Sequence, residues 1–272
     1  MKKNSITQQA VCLAVCAAII AGCLLHSGKL YSQDTRYTQS YNAPLRLNPA
    51  LMGPNTDLKG ILNYRTQWAN IDKGYTTYRF SFLYPLLMTD NSGKLDIGLS
   101  AINDVAGAFS TLNVSLALGY ALNISENHNI SAALIGGFGQ KTLDTEGQTY
   151  DEQYVLGSYE ATNPNNEVIW NENRSYPDLG FGLLWYMNPD GEIAPFAGVS
   201  ASHFNNPDES MQGGEGDYPV FYTYHGGLKI AGEKFDFTPN LRISKQGGAE
   251  DYEVGCYIDY KINDDMKIPF GL

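Results

Sequence analysis

The sequence predicts an all-β chain that crosses a membrane as an antiparallel β-barrel, with ten to eleven strands following a signal peptide. Three observations lead there. Apolar residues recur at every second position over stretches of about 10 to 12 residues, longer than the usual strand of about five or six and close to what a tilted membrane strand needs. The intervening positions are small or polar, so each stretch has one greasy face and one wet one. Past the first 25 residues no apolar run reaches about 18 residues, so any crossing must be made by strands and not by a helix.

Residues 1–32 open with Lys2 and Lys3, continue as an apolar run from Ala10 to Leu25, and end in a short polar tail. That is the pattern of a secretory leader. Cleavage after Leu30-Tyr31-Ser32 leaves Gln33 at the front; the lipobox-like Ile20-Ala21-Gly22-Cys23 offers a rival that would leave Cys23 lipidated. Removing 32 of 272 residues leaves 240, enough for one barrel. Cys12, Cys16 and Cys23 lie in the leader and only Cys256 remains, so no disulfide staples the processed chain. A net charge of -11 argues against a nucleic-acid partner, because nothing concentrates Lys or Arg against phosphate.

Residues 33–57 form a polar, aromatic, turn-rich segment. Pro44 and the Asn48-Pro49 pair break helix and strand alike, so neither is predicted here. Two placements stand open for it: a plug inside the barrel, or a free periplasmic arm.

The barrel itself is expected over 58–272, with strands near 58–69, 74–85, 94–104, 109–123, 128–141, 176–187, 192–204, 219–232, 234–245 and 251–262 and a scrap after 266. Alternation is clearest where Leu112, Val114, Leu116, Leu118, Tyr120 and Leu122 oppose Asn113, Ser115, Ala117, Gly119 and Ala121. It recurs where Tyr252, Val254, Cys256, Ile258, Tyr260 and Ile262 oppose Glu253, Tyr257, Asp259 and Lys261. Trp68, Tyr84, Tyr120, Trp185, Tyr222 and Tyr260 fall near strand ends, as interface girdles require. Even-numbered connections are tight turns, whereas the two long ones, 142–175 and 205–218, are both odd-numbered. Bacterial outer-membrane barrels put short turns in the periplasm and long loops outside, and a first strand starting on the periplasmic side fits that count.

Charges on the wet phase include Lys59, Arg65, Arg79, Asp96, Asp178, Lys229, Asp236, Arg242, Glu253, Asp259 and Lys261. Their mixed signs predict a narrow or plugged lumen laced with salt bridges, since a selective pore favours one sign. No catalytic, cofactor-binding or metal-ligating residue is assigned. His203 and His225 have no second ligand at metal spacing, and Gly198-Val199-Ser200-Ala201-Ser202 lies inside a strand where a nucleophile elbow cannot form. The acidic loop residues Asp144, Glu146, Asp151, Glu152, Glu160, Glu167 and Glu172 lack the order of a calcium loop and read as a solvated outer loop.

Three short motifs follow one another at the start of the processed chain: Gln33, Asp34, Tyr37, Thr38 and Gln39; Asn48, Pro49, Ala50 and Gly53; then Asn63, Tyr64, Arg65, Gln67 and Trp68. In this order they resemble the opening of the PorP/SprF family of type IX secretion membrane proteins. The resemblance implies a non-enzymatic outer-membrane barrel of the secretion or gliding-motility machinery of a Bacteroidetes-like cell. It would assist protein secretion, or hold a cargo such as an adhesin at the surface. Its partners would be machinery components or a secreted surface protein, besides outer-membrane lipid. Against the family pattern the chain reads as shortened at its C-terminus, which leaves barrel closure open. A porin or solute-specific channel on the same barrel is the alternative function.

Overall fold

In the computed structural model the described residues are 34, 40–70, 74–89, 93–145, 148–155, 157–160, 162–164, 172–188, 193–211, 216–262 and 266–271. The predicted leader, 1–32, lies outside them. So do Gln33, Tyr37, Thr38 and Gln39 of the first motif.

Long-range alternation becomes one antiparallel meander. β1 (Lys59–Gln67), β2 (Tyr75–Thr89), β3 (Gly93–Ala106), β4 (Phe109–Asn123) and β5 (His128–Leu143) pair in sequence order. A two-stranded hairpin, β6 (Tyr154–Val155) with β7 (Ser158–Tyr159), interrupts the long loop. The meander resumes with β8 (Asn173–Met187), β9 (Ile193–Ser202), β10 (Phe221–Ile230), β11 (Phe235–Gln246), β12 (Ala249–Lys261) and β13 (Lys267–Gly271). The large sheet thus has 11 strands, and β1 and β13 each pair on one side only. β4 and β8 run to 15 residues and β5 to 16, ample to cross a bilayer at a tilt. Two connections on the odd-numbered side shrink to two residues, and Gly107 and Gly247 take the positive φ that these hairpins require.

The faces are inverted relative to a soluble protein. Along β2 the buried side chains include Thr77, Arg79 and Ser81; along β11 they are Asp236, Asn240, Arg242, Ser244 and Gln246. On the outside stand Leu62, at 78 % exposure, Phe80, Leu112, Val114, Leu116, at 47 %, Leu118, Leu134, Leu183 and Leu241. Burial that selects serine and arginine over leucine fits a sheet whose outer solvent is hydrocarbon. Trp68, Phe109, Tyr222 and Tyr252 ring this surface at the odd-numbered end, and Tyr84, Tyr120, Phe235 and Tyr260 at the other.

The N-terminal segment shows how far the sheet curls. Asn63 of β1 donates to the carbonyl of Asn42 at 3.1 Å, while Tyr41 packs edge-on against Tyr257 of β12 with ring centroids 5.3 Å apart. Residues one apart in the segment touch strands near the two edges of the sheet, so the sheet wraps around the segment.

The prediction of no helix in this segment needs correction: it folds into three tight turns, Ser40–Asn42, Pro44–Leu47 and Pro49–Met52. Each proline opens its turn, where a missing N–H costs nothing, and Asn48 ends one turn and caps the next by accepting from the Ala50 N–H at 2.9 Å. Lys59, placed on the inward phase by the sequence, is exposed at the start of β1.

Candidate functional site

The site is the seat of this segment in the lumen, and it is cut from small residues. A Cβ on Gly98 would lie 2.7 Å from Met52 Sδ, one on Gly119 3.0 Å from Met52 Cε, and one on Gly53 2.5 Å from Ser131 Cβ. Leu45, Ala50 and Met52 fill the hollow these glycines leave and pack with Leu83, Ala117, Ala133 and Leu184 as the apolar cluster of the interior.

Asn48 is the anchor. Fully buried, its Nδ2 lies 2.9 Å from the Leu183 carbonyl, 3.3 Å from that of Val199 and 3.1 Å from His225 Nε2. Because Oδ1 accepts from Ala50, the amide can face only one way. A side chain can meet wall carbonyls of β8 and β9 only where the wall is bare, and here it is: a Cβ on Gly182 would overlap Asn48 Oδ1 and sit 3.0 Å from Pro49 Cδ. A Cβ on Gly198 would crowd Asn48 Nδ2 at 2.8 Å. Accepting from Asn48, His225 Nε2 carries no proton; its Nδ1 faces the Tyr41 hydroxyl at 3.3 Å. Ser200 closes the seat by donating to the Leu47 carbonyl at 2.7 Å.

The front of the segment is tied by charge. Asp34 accepts from Arg46 and from the Tyr218 hydroxyl, and its backbone N–H donates to Gln246 Oε1 at 2.9 Å. His203 is held between two carboxylates, Nε2 at 2.9 Å from Asp34 and Nδ1 at 2.8 Å from Asp178. Two acceptors demand two donors, so the ring is an imidazolium. Burial alone would lower its pKa, but Asp34 and Asp178 together raise it to about 9. Burial likewise pushes Asp34 upward, yet Arg46 and His203 outweigh it and hold that carboxyl well below the usual range. The guanidinium of Arg46 also lies over the Phe221 ring, 4.3 Å from its centroid. His203 adopts φ 57°, a left-handed backbone that its two carboxylate contacts help to hold.

Elsewhere the wet face is cross-linked as its mixed signs predict. Arg242 bridges Asp251 and Glu253 at 2.8 and 2.7 Å, and Lys261 and Lys267 both reach Asp236. Beside the Asp34 cluster a cavity of about 300 Å³ remains, lined by Arg79, Asp104, Ser115, Lys141, Asp178 and Glu209 among others.

Of the three motifs, the structure brings Asp34, Asn48, Pro49, Ala50 and Gly53 into the lumen. Asn63 reaches the segment from β1, and Arg65 bonds to Gln67 beside it. Tyr64 and Trp68 instead face outward, packing at a tilt against Tyr78 and Tyr75 with centroids 5.2 and 5.0 Å apart. The PorP/SprF family, described as type IX secretion system membrane proteins, matches residues 29–272. The chain belongs to this family. A search of curated proteins found no match.

In this PorP/SprF protein the residues that sequence reasoning missed are those that receive the segment: Gly98, Gly119, Gly182, Gly198, Ser200, His203, His225 and Tyr218. Glycines at inward positions of otherwise regular strands were the available signal, since a strand gains nothing from them unless another backbone or a buried side chain comes close.

Proposed function

We propose that this chain is a non-enzymatic outer-membrane component of the type IX secretion or gliding apparatus, assisting release of a cargo protein or holding one, such as an adhesin, at the surface. In this reading residues 1–32 are removed, 33–57 plug the barrel and 58–272 span the outer membrane. The observation that carries it is the occupied lumen: a sheet wrapped around its own buried segment is a poor conduit for a passenger, so the work falls to its ends. The long-loop end offers docking surface, with Tyr154, Val155 and Tyr159 exposed on the β6–β7 hairpin. Asp34, Asn48, Pro49, Ala50 and Gly53 of the first two motifs, met by Asn63 of the third, serve as a seating code for the plug, with Asn48 as its anchor.

The cavity of about 300 Å³ supports the second reading, a narrow solute channel. Purification from the native envelope followed by mass spectrometry separates the two. A secretion component or a surface protein is expected to co-purify in stoichiometric amount. A protein that purifies alone and conducts ions in a planar bilayer would overturn the proposal in favour of the channel.

A further inference from the structure

The direction in which the segment runs through the lumen can be read from its partners. Asp34 is bound by His203, one residue past the end of β9, by Tyr218, three residues before β10, and by Gln246, the last residue of β11. All three stand at the end that carries the loops 144–172 and 203–220. Further along, at Met52 and Asn55, the opposite end holds the chain: the ammonium of Lys94, second residue of β3, donates to the Met52 carbonyl at 3.1 Å and to that of Asn55. Between these two ends Ser40 meets Glu253, Tyr41 and Asn48 both meet His225, and Leu47 meets Ser200 of β9, all at intermediate levels of the wall. β1 then starts at Lys59 on the tight-turn side.

We propose that the segment enters the lumen at the long-loop end and descends to the tight-turn end, so that the start of the processed chain is displayed on the outer face of the cell, beside loop 203–220. A first strand rising from the periplasm suggests by itself a periplasmic amino terminus. The contacts of Asp34 reverse that expectation by a full crossing of the membrane. The outer mouth is then a composite surface, built from the front of the chain and the loop that holds Asp34 through His203 and Tyr218. This inference rests on the barrel reading, with long loops outside and tight turns in the periplasm.

The test is labelling of intact cells with a membrane-impermeant maleimide, using the full chain in a Cys256→Ser background. One cysteine is introduced at a time: Glu160→Cys on the long loop, Ser125→Cys in a tight turn, and a cysteine inserted directly before Asp34. A short epitope inserted at that same point, read by antibody on intact cells, guards against a poorly folded cysteine variant. Label at Glu160→Cys and before Asp34 in intact cells, with Ser125→Cys reacting only after permeabilisation, is the expected result. Label before Asp34 appearing only after permeabilisation, together with Ser125→Cys, would overturn the threading direction while leaving the barrel intact. Equal reaction of Glu160→Cys and Ser125→Cys in intact cells would sink the barrel reading and this inference with it.

Discussion

Gly182→Ala is expected to unseat the N-terminal segment. The added methyl would occupy the position of Asn48 Oδ1, and Pro49 at 3.0 Å blocks escape on the other side. Asn48 cannot swing away cheaply, because its two amide hydrogens serve the carbonyls of Leu183 and Val199 and the His225 ring within a fully buried site. Overpacking costs about 1–3 kcal/mol and leaving buried polar groups unpaired costs about as much again. For a chain of this size the combined loss lowers the unfolding midpoint by on the order of 10 °C. Residues 40–57 should become open to protease in the folded, detergent-solubilised protein. Gly60→Ala is the control, since a Cβ there meets nothing within 4 Å, and its midpoint should not move.

The second large effect is a reversal of sign between neighbours. Leu116, halfway along β4, points outward, whereas Ser115 lines the lumen cavity with Asp104 and Asp178. Leu116→Arg places a charge near the bilayer midplane and should cost about 2–4 kcal/mol, read as a lower folded fraction on refolding into lipid vesicles. Ser115→Lys puts its ammonium into a cavity of about 300 Å³ that already holds both carboxylates, and should be tolerated. If the outer face met water, the order would invert: Leu116→Arg would be harmless and the inward lysine costly.

Much of the sheet was legible because exposed apolar and inward polar side chains keep a strict period of two over long stretches. The expected bounds 109–123 coincide with β4, where turn formers stand at both ends, and most other strands agree to within a few residues. The turns at 44–52 were not legible. Helical turns of four residues carry no periodicity, and a proline that forbids a long helix is the residue that opens a short one. The β6–β7 hairpin escaped for a related reason: two residues cannot alternate. The Asn48 seat joins residues 135 or more positions apart in the chain, so no local pattern could announce it. Without a second ligand at metal spacing, His203 and His225 read from the sequence as ordinary girdle or lumen histidines, and both are buried against the segment in the lumen. Their work is to hold a carboxylate and an amide of the same chain.

The claim beneath all of this is that alternate residues of each long strand face hydrocarbon and a polar, occupied lumen. Nitroxide scanning from Thr111 to Tyr120 in lipid bilayers measures it directly, by comparing relaxation by oxygen, which concentrates in lipid, with that by a water-soluble nickel chelate. High oxygen contact at Leu112, Val114, Leu116 and Leu118, with low oxygen contact at Thr111, Asn113, Ser115 and Ala117 between them, is the predicted result. A flat profile, or one with its phase reversed, would contradict the account.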